Sequence, residues 1–273
     1  MSDNLVLTER RGKVLEITMN RPPANAMNRA MSRAMYKAFH ELQSDNSLIC
    51  GLVTGTGERI FCAGWDLKET AAAGEINYGD DYHPEHGFGP GGFAGITEYF
   101  DLKKPVIAAV NGAAVGGGME VAIACDIILM SENAFFALPE MQRGILADGG
   151  AVQKLPKLIP AMVAREFLLS GRRMDAEEAV RWGLVHKAYK PADLLPAARA
   201  MAEEISKGAP IALQALKEVL LKADGMNHAD AMRLFRMGGT HGLEFYGKIP
   251  KSEDAIEGIK AFAEKREPVF KGK

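Results

Sequence analysis

Apolar positions recur with two different spacings along this 273-residue chain, and the spacing changes near its middle. In the first half, short apolar or alternating runs read as strands. Leu5 to Thr8 and Lys13 to Met19 are two such runs, with a charged turn expected at Glu9-Arg10-Arg11-Gly12. Arg21-Pro22-Pro23 ends the second, because proline cannot donate to a ladder. Met31, Ala34, Met35, Ala38, Phe39 and Leu42 then fall at i, i+3, i+4, i+7, i+8 and i+11, one face of a helix that Asn28 can cap and that runs to about Ser44. Arg29, Arg33, Lys37 and Glu41 lie on the other side, so the methionine stripe reads as core packing. Cys50 to Thr54, Pro105 to Val110 and Asp126 to Met130 read as buried strands, Phe61 to Gly64 as a shorter apolar piece, and Phe93 to Phe100 and the stretch from Met119 as short helices. This alternation predicts an α/β fold with parallel pairing.

Beyond about residue 150 the helical period dominates. Helices are expected over Pro160 to Ser170, Asp175 to Trp182, Pro191 to Ser206, Pro210 to Ala223, His228 to about Tyr246 and Ser252 to Arg266, with one strand at Leu184 to Ala188. The expected organisation is an α/β core over residues 1–200 and a helical C-terminal part over residues 201–273. Thr70 to Phe93 shows no period and is rich in Gly, Asp, His, Pro and Tyr, and loops of that length inside a domain are usually functional.

Composition narrows the function classes. A net charge of −2 without a basic stripe argues against nucleic acid as the partner. The longest apolar stretch, Val121 to Met130, is broken by Asp126 and falls far short of the ~20 residues that span a bilayer. Met1 to Arg11 is polar, without the apolar core of a secretory signal, so a soluble cytoplasmic protein with no membrane partner is expected. Cys50, Cys62 and Cys125 fit no zinc spacing and read as small buried hydrophobes, and no metal is expected. P-loop, dinucleotide-binding and nucleophile-elbow motifs are absent, and His83-x-x-His86 lacks metalloprotease spacing.

Three segments can carry chemistry. Asn111 to Glu120 places Gly116, Gly117 and Gly118 after a buried strand and at the start of an apolar helix, where uncovered N–H groups can hold an anion or a developing oxyanion. Glu120 there reads either as a helix N-terminal charge or as an acid/base. Glu140 leaves the apolar run Phe135 to Pro139 and reads either as a solvated turn residue or as a second acid/base. In Phe61 to Lys68, a glycine at 64 ends the apolar piece and exposes the N–H of Trp65.

Together these segments, AGxDL, VNGxxxGGGxE and LPExxxG, resemble the motif set of the enoyl-CoA hydratase/isomerase (crotonase) superfamily, over essentially the whole chain. The resemblance implies a crotonase (ClpP-like) fold, a ββα-type spiral core with a helical C-terminal trimerisation part. It implies a hydro-lyase acting on an acyl-CoA thioester, with CoA as part of the substrate and no separate cofactor, in a homotrimer or dimer of trimers. Glu120 and Glu140 are then the catalytic pair, and the amides of Trp65 and Gly117 the oxyanion hole. Ala24, Ala26, Ala63, Asp66, Leu67, Lys68, Gly116 and Asp148 are expected to contact substrate or CoA, with Lys260 and Lys265 as available cations for its phosphates. Residues 63–68, 88–95 and 252–258 are similar to a branch of the family whose acyl group carries a quaternary ammonium, which Trp65, Tyr78, Tyr82 and Asp148 are candidates to recognise. Trp65 stands where most members have a small residue, Asp148 where they usually have Gly, and Ala147 where they usually have Pro. A general short-chain enoyl-CoA hydratase or isomerase, and a non-catalytic RNA- or protein-binding member of the same fold, are the alternatives.

Overall fold

The computed structural model describes residues 4–73, 83, 86–235 and 242–273. Tyr78, Tyr82 and the rest of residues 74–82, 84 and 85 of the 70–93 loop, and residues 236–241 of the helix expected from His228 to Tyr246, lie outside the described residues. The chain opens with β1 (Val6–Arg11) and β2 (Val14–Met19), an antiparallel pair, followed by α1 (Arg29–Ser44). Next come β3 (Cys50–Gly55), β4 (Ile60–Cys62), α2 (Leu67–Ala73), β5 (Val106–Val110), β6 (Ala113–Val115), α3 (Gly117–Ala124), β7 (Ile127–Ser131) and β8 (Phe135–Ala137). The remainder is α4 (Ala151–Leu158), α5 (Ala161–Ser170), β9 (Arg173–Asp175), α6 (Ala176–Arg181), β10 (Lys187–Tyr189), α7 (Pro191–Ser206), α8 (Pro210–Ala223), α9 (His228–Arg233), α10 (Glu244–Lys248) and α11 (Glu253–Glu264).

Two sheets result. The larger has the order β1-β2-β3-β5-β7-β10 and is parallel from β2 onward. Its central strands β3 and β5 are buried at every position because both faces are covered. On β5, Val106, Ala108 and Val110 face the α1 side, while Ile107 and Ala109 face Leu194, Ala198 and Ala202 of α7. Glu16 of β2 is buried on the α7 side, held by Arg199 at 2.8 Å and Arg11 at 3.1 Å. The smaller sheet has the order β4-β6-β8-β9, with β4, β6 and β8 mutually parallel and β9 antiparallel. The α/β class with parallel pairing is as expected.

Several boundaries differ from the sequence reading. The first hairpin turns at Gly12-Lys13, and Glu9 to Arg11 belong to β1, since charged residues suit an exposed edge strand. Phe93 to Phe100 holds only a 3-10 turn, Phe93–Gly95, broken by Ala94 at φ +54°. Leu184 and Val185 donate to the carbonyl of Ala179 as the turn ending α6, so the expected strand begins only at Lys187. The helix expected from His228 to Tyr246 is two short ones among the described residues. The buried Glu218 carboxylate of α8 accepts the N–H groups of Glu244, Phe245 and Tyr246 at 2.6, 2.9 and 3.2 Å, which starts α10 afresh. The elements α2, α4, β6 and β9 went unread, three of them too short for a period and α4 carrying Pro156 inside it. Among the described residues no helix is long and apolar enough to cross a membrane.

Candidate active site

The three chemistry-bearing segments leave the same ends of three adjacent parallel strands. Cys62 of β4 pairs with Ala114 of β6, which pairs with Phe136 of β8. Residues 63–66, 116–120 and 138–140 therefore emerge side by side at the carboxyl edge of the small sheet, a usual place for ligands in parallel sheets. They open on a cleft of ≈ 850 Å³. Ala24, Ala26, Ala63, Trp65, Asp66, Leu67, Lys68, Gly116, Gly117, Glu120, Glu140 and Asp148 all line it, whereas Lys260 and Lys265 do not.

Each of the three consecutive glycines has its own steric reason. A Cβ on Gly116, at φ +56°, would lie 2.5 Å from the Glu140 Oε1. On Gly117 it would meet the Phe93 ring at 2.5 Å, and on Gly118 the carbonyl oxygen of Cys62 at 2.0 Å. Gly64, at φ +83°, brings the strands' ends together: a Cβ there would fall 2.5 Å from the Val115 carbonyl and 2.9 Å from the Gly117 nitrogen. Gly117 is the first residue of α3, so its N–H has no acceptor within the helix. Met27 accepts the N–H of Asp66 and donates to the carbonyl of Gly64, which turns the intervening Trp65 amide away from Met27.

The two glutamates are both buried. Glu120 Oε1 accepts the N–H of Ala151 at 3.0 Å, the first residue of α4. Burial, with the charges of Glu140 and Asp148 adding to it, lifts the Glu120 carboxyl to about 7 against the N–H groups of Ala151 and Gly149. Gly149 leaves room for it, since a Cβ there would sit 2.7 Å from Oε2. Burial also raises the Glu140 carboxyl, opposed by its own backbone N–H and by Arg143, and Asp148 pushes it the same way as burial. Its Oε2 is buried without a hydrogen-bond partner among the described residues. Such an atom costs free energy unless something in the cleft satisfies it. Two carboxyls whose hold on a proton is strengthened by burial, beside the N–H at the start of α3, can take a proton from one atom and give one to another.

The other predicted residues are placed by the frame. The Ala24 carbonyl accepts the N–H of Ala63 at 3.0 Å. Asn25, fully buried at φ +47°, donates to the carbonyls of Thr56, Ile60 and Phe61, locking residues 24–26 against β4. Asp66 accepts from the N–H groups of Lys68 and Glu69 at the start of α2 and pairs with Arg21 at 2.6 Å. Burial opposes the charge on Asp66, but these partners together hold its carboxyl below the ordinary range. Asp148 is exposed on the cleft wall between the Glu140 turn and α4.

Phe93, Phe88, Arg21, Arg143 and Leu146 also line the cleft and went unread as site residues. Phe93 and Phe88 meet edge to face at 5.5 Å. Their wall rests on α1: the Ala94 N–H donates to the buried Ser32 Oγ at 2.8 Å, and Gly95 packs where a Cβ would lie 2.3 Å from the Tyr36 nitrogen. The signals in the sequence were the density of glycines between 87 and 95 and the family resemblance over residues 88–95.

Comparison with known proteins agrees with this geometry. Residues 9–273 match the family model described as enoyl-CoA hydratase/isomerase. Proteins named carnitinyl-CoA dehydratase from Salmonella paratyphi A and Salmonella agona are 49% identical to the chain over 273 residues, covering 100% of both partners. The solved enoyl-CoA hydratase of Mycobacterium tuberculosis H37Rv superposes with a TM-score of 0.85 at 36% identity, over 99% of this chain and 100% of that one. An enoyl-CoA hydratase from Mycobacterium marinum gives 0.86 at 36% identity with the same coverage. With the fold, the strand-end cleft and a full-length match in agreement, the chain belongs to the enoyl-CoA hydratase/isomerase family.

Proposed function

We propose that this protein interconverts carnitinyl-CoA and crotonobetainyl-CoA by reversible loss and addition of water. The observation that carries the chemistry is the pair of buried carboxyls, Glu120 and Glu140, at the two sides of the Gly116-Gly117 turn. The acyl group is taken from the full-length relatives.

In the hydration direction the thioester carbonyl lies between the amides of Trp65 and Gly117. Glu120 takes a proton from water as its oxygen bonds to the β-carbon. The electron pair of the double bond moves to the α-carbon and is delocalised onto the thioester oxygen as an enolate. Glu140 then gives its proton to the α-carbon. Each of the two amides is worth about 3–4 kcal/mol at such an oxyanion, and each carboxyl about 10²–10⁴-fold. CoA runs along residues 63–68, with its adenine against residues 24–26. Ala24, Ala26, Ala63, Leu67, Lys68 and Gly116 supply shape and backbone there, while Asp66 holds the start of α2.

The working assembly in this reading is a homotrimer or a dimer of trimers in the cytoplasm. The apolar outer faces of the C-terminal helices support it, with Ile259 of α11 at 71% exposure. Because the solved relatives carry the name enoyl-CoA hydratase, general short-chain hydration is the second reading. A side-by-side hydration assay decides between them. Faster turnover of crotonobetainyl-CoA than of crotonyl-CoA is expected, and the reverse order establishes the general hydratase.

A further inference from the structure

We infer that Asp148 is the specificity-determining residue that makes this cleft select a cationic acyl tail. The inference rests on the dehydratase reading above. In crotonobetainyl-CoA the trimethylammonium nitrogen is two bonds from the β-carbon that water attacks. Wherever that carbon sits against Glu120 and Glu140, the cation sits beside the same wall. Glu120, Glu140 and Asp148 line that wall together, and the Asp148 charge bears on both glutamates. Glu140 adds a buried oxygen without a partner among the described residues. The cation acting on Glu140, Arg143, is exposed and donates to the carbonyl of Pro139 at 3.0 Å. Glu120 is held by Ala151 and is engaged in proton transfer. Asp148 is the carboxylate of the three that neither proton step uses. A neutral tail leaves the Asp148 charge beside the charged base Glu120 with no cation to offset it, whereas a quaternary ammonium supplies that cation. Trp65 and Phe93 supply aromatic surface in the same cleft.

The test compares crotonobetainyl-CoA with a neopentyl-substituted acryloyl-CoA, which has the same shape with carbon in place of nitrogen. The ratio of kcat/KM for the two esters is measured in the parent protein, Asp148→Asn, Asp148→Glu and, at another carboxylate lining the cleft, Glu98→Gln. The parent prefers the cationic ester, Asp148→Asn lowers that preference about tenfold, and Asp148→Glu and Glu98→Gln keep it. An unchanged ratio in Asp148→Asn, equal losses on both esters, or a collapse in Glu98→Gln instead overturns the inference while the dehydratase reading stands. A parent protein that hydrates the neutral ester and not crotonobetainyl-CoA overturns both.

Discussion

Helices α1 and α11 carry the same local instructions and meet opposite fates. Both are amphipathic, and each starts at a side-chain cap: Asn28 accepts the N–H of Met31 at 2.9 Å, and Ser252 that of Ala255 at 3.1 Å. On α1 the apolar stripe is wholly enclosed, with Met31, Met35, Phe39 and Leu42 at 0% exposure. On α11, Ile256, Ile259 and Phe262 stand 64%, 71% and 87% exposed. The difference lies in the segments downstream of each helix. After α1 come strands for it to cover, whereas residues 266–272, which follow α11, fold back on that helix. Asp254 accepts the N–H groups of Lys271 and Gly272, and Arg266 grips Glu257. An amphipathic pattern specifies that a face will be covered and leaves open what covers it.

The interior half of that contrast includes the cleft, and its sharpest break is chemical. Glu120→Gln and Glu140→Gln should each lower hydration by about 10²–10⁴-fold while CoA-ester binding stays nearly intact. Turnover like that of the parent in either variant, in a steady-state assay beside ligand titration, removes that residue from the mechanism.

Truncating the enclosed stripe comes next. Phe39→Ala should cost about 3–5 kcal/mol, read from the urea midpoint, because α1 cannot collapse onto a sheet that already fills its other side. A loss below about 1 kcal/mol would mean that α1 is not the keystone its burial makes it.

Glu120 couples the interior to pH. Its carboxyl stands at about 7 because burial penalises the charge, aided by Glu140 and Asp148. The stability of the protonated form is fully present below the ordinary glutamate value of about 4.3 and is lost as pH rises through about 7. Glu120→Gln lacks that loss and keeps an acceptor for the Ala151 N–H. It should exceed the parent by about 2–3 kcal/mol at pH 8, with the gap closing toward pH 4. Equal melting curves at both pH values would contradict the burial argument.

The smallest effect belongs to the outer half. Phe262→Ala should change the stability of a single subunit by no more than about 0.5 kcal/mol. Ile259→Glu should lower the mass seen in light scattering at micromolar concentration. A parent protein that is already a monomer under those conditions removes the assembly from the proposal.

Much of this molecule is legible in short stretches. The start of α1 at Asn28, the full span of α7 and of α8, and the buried strand β5 are written as caps and periods, which act over a few residues. The glycine run at 116–118 likewise announces an amide-rich helix start. Where neighbours decide, the reading fails. The strand β6 is three residues long and exists because β4 and β8 pair with it on either side. Phe93 holds its place through Ala94, which has a positive φ and donates its N–H to Ser32, sixty-two residues away in sequence.

The α/β class, the family motifs and the candidacy of the two glutamates are all readable from the order of residues alone, because periodicity and glycine placement are local properties of the backbone. Three facts emerge only in the folded chain: the motif segments leave neighbouring parallel strands, Glu140 enters the cleft with an oxygen unpartnered among the described residues, and Asp148 stands beside both glutamates. Those facts depend on strand order and on burial. Both arise from contacts between residues far apart in sequence, which no local pattern encodes.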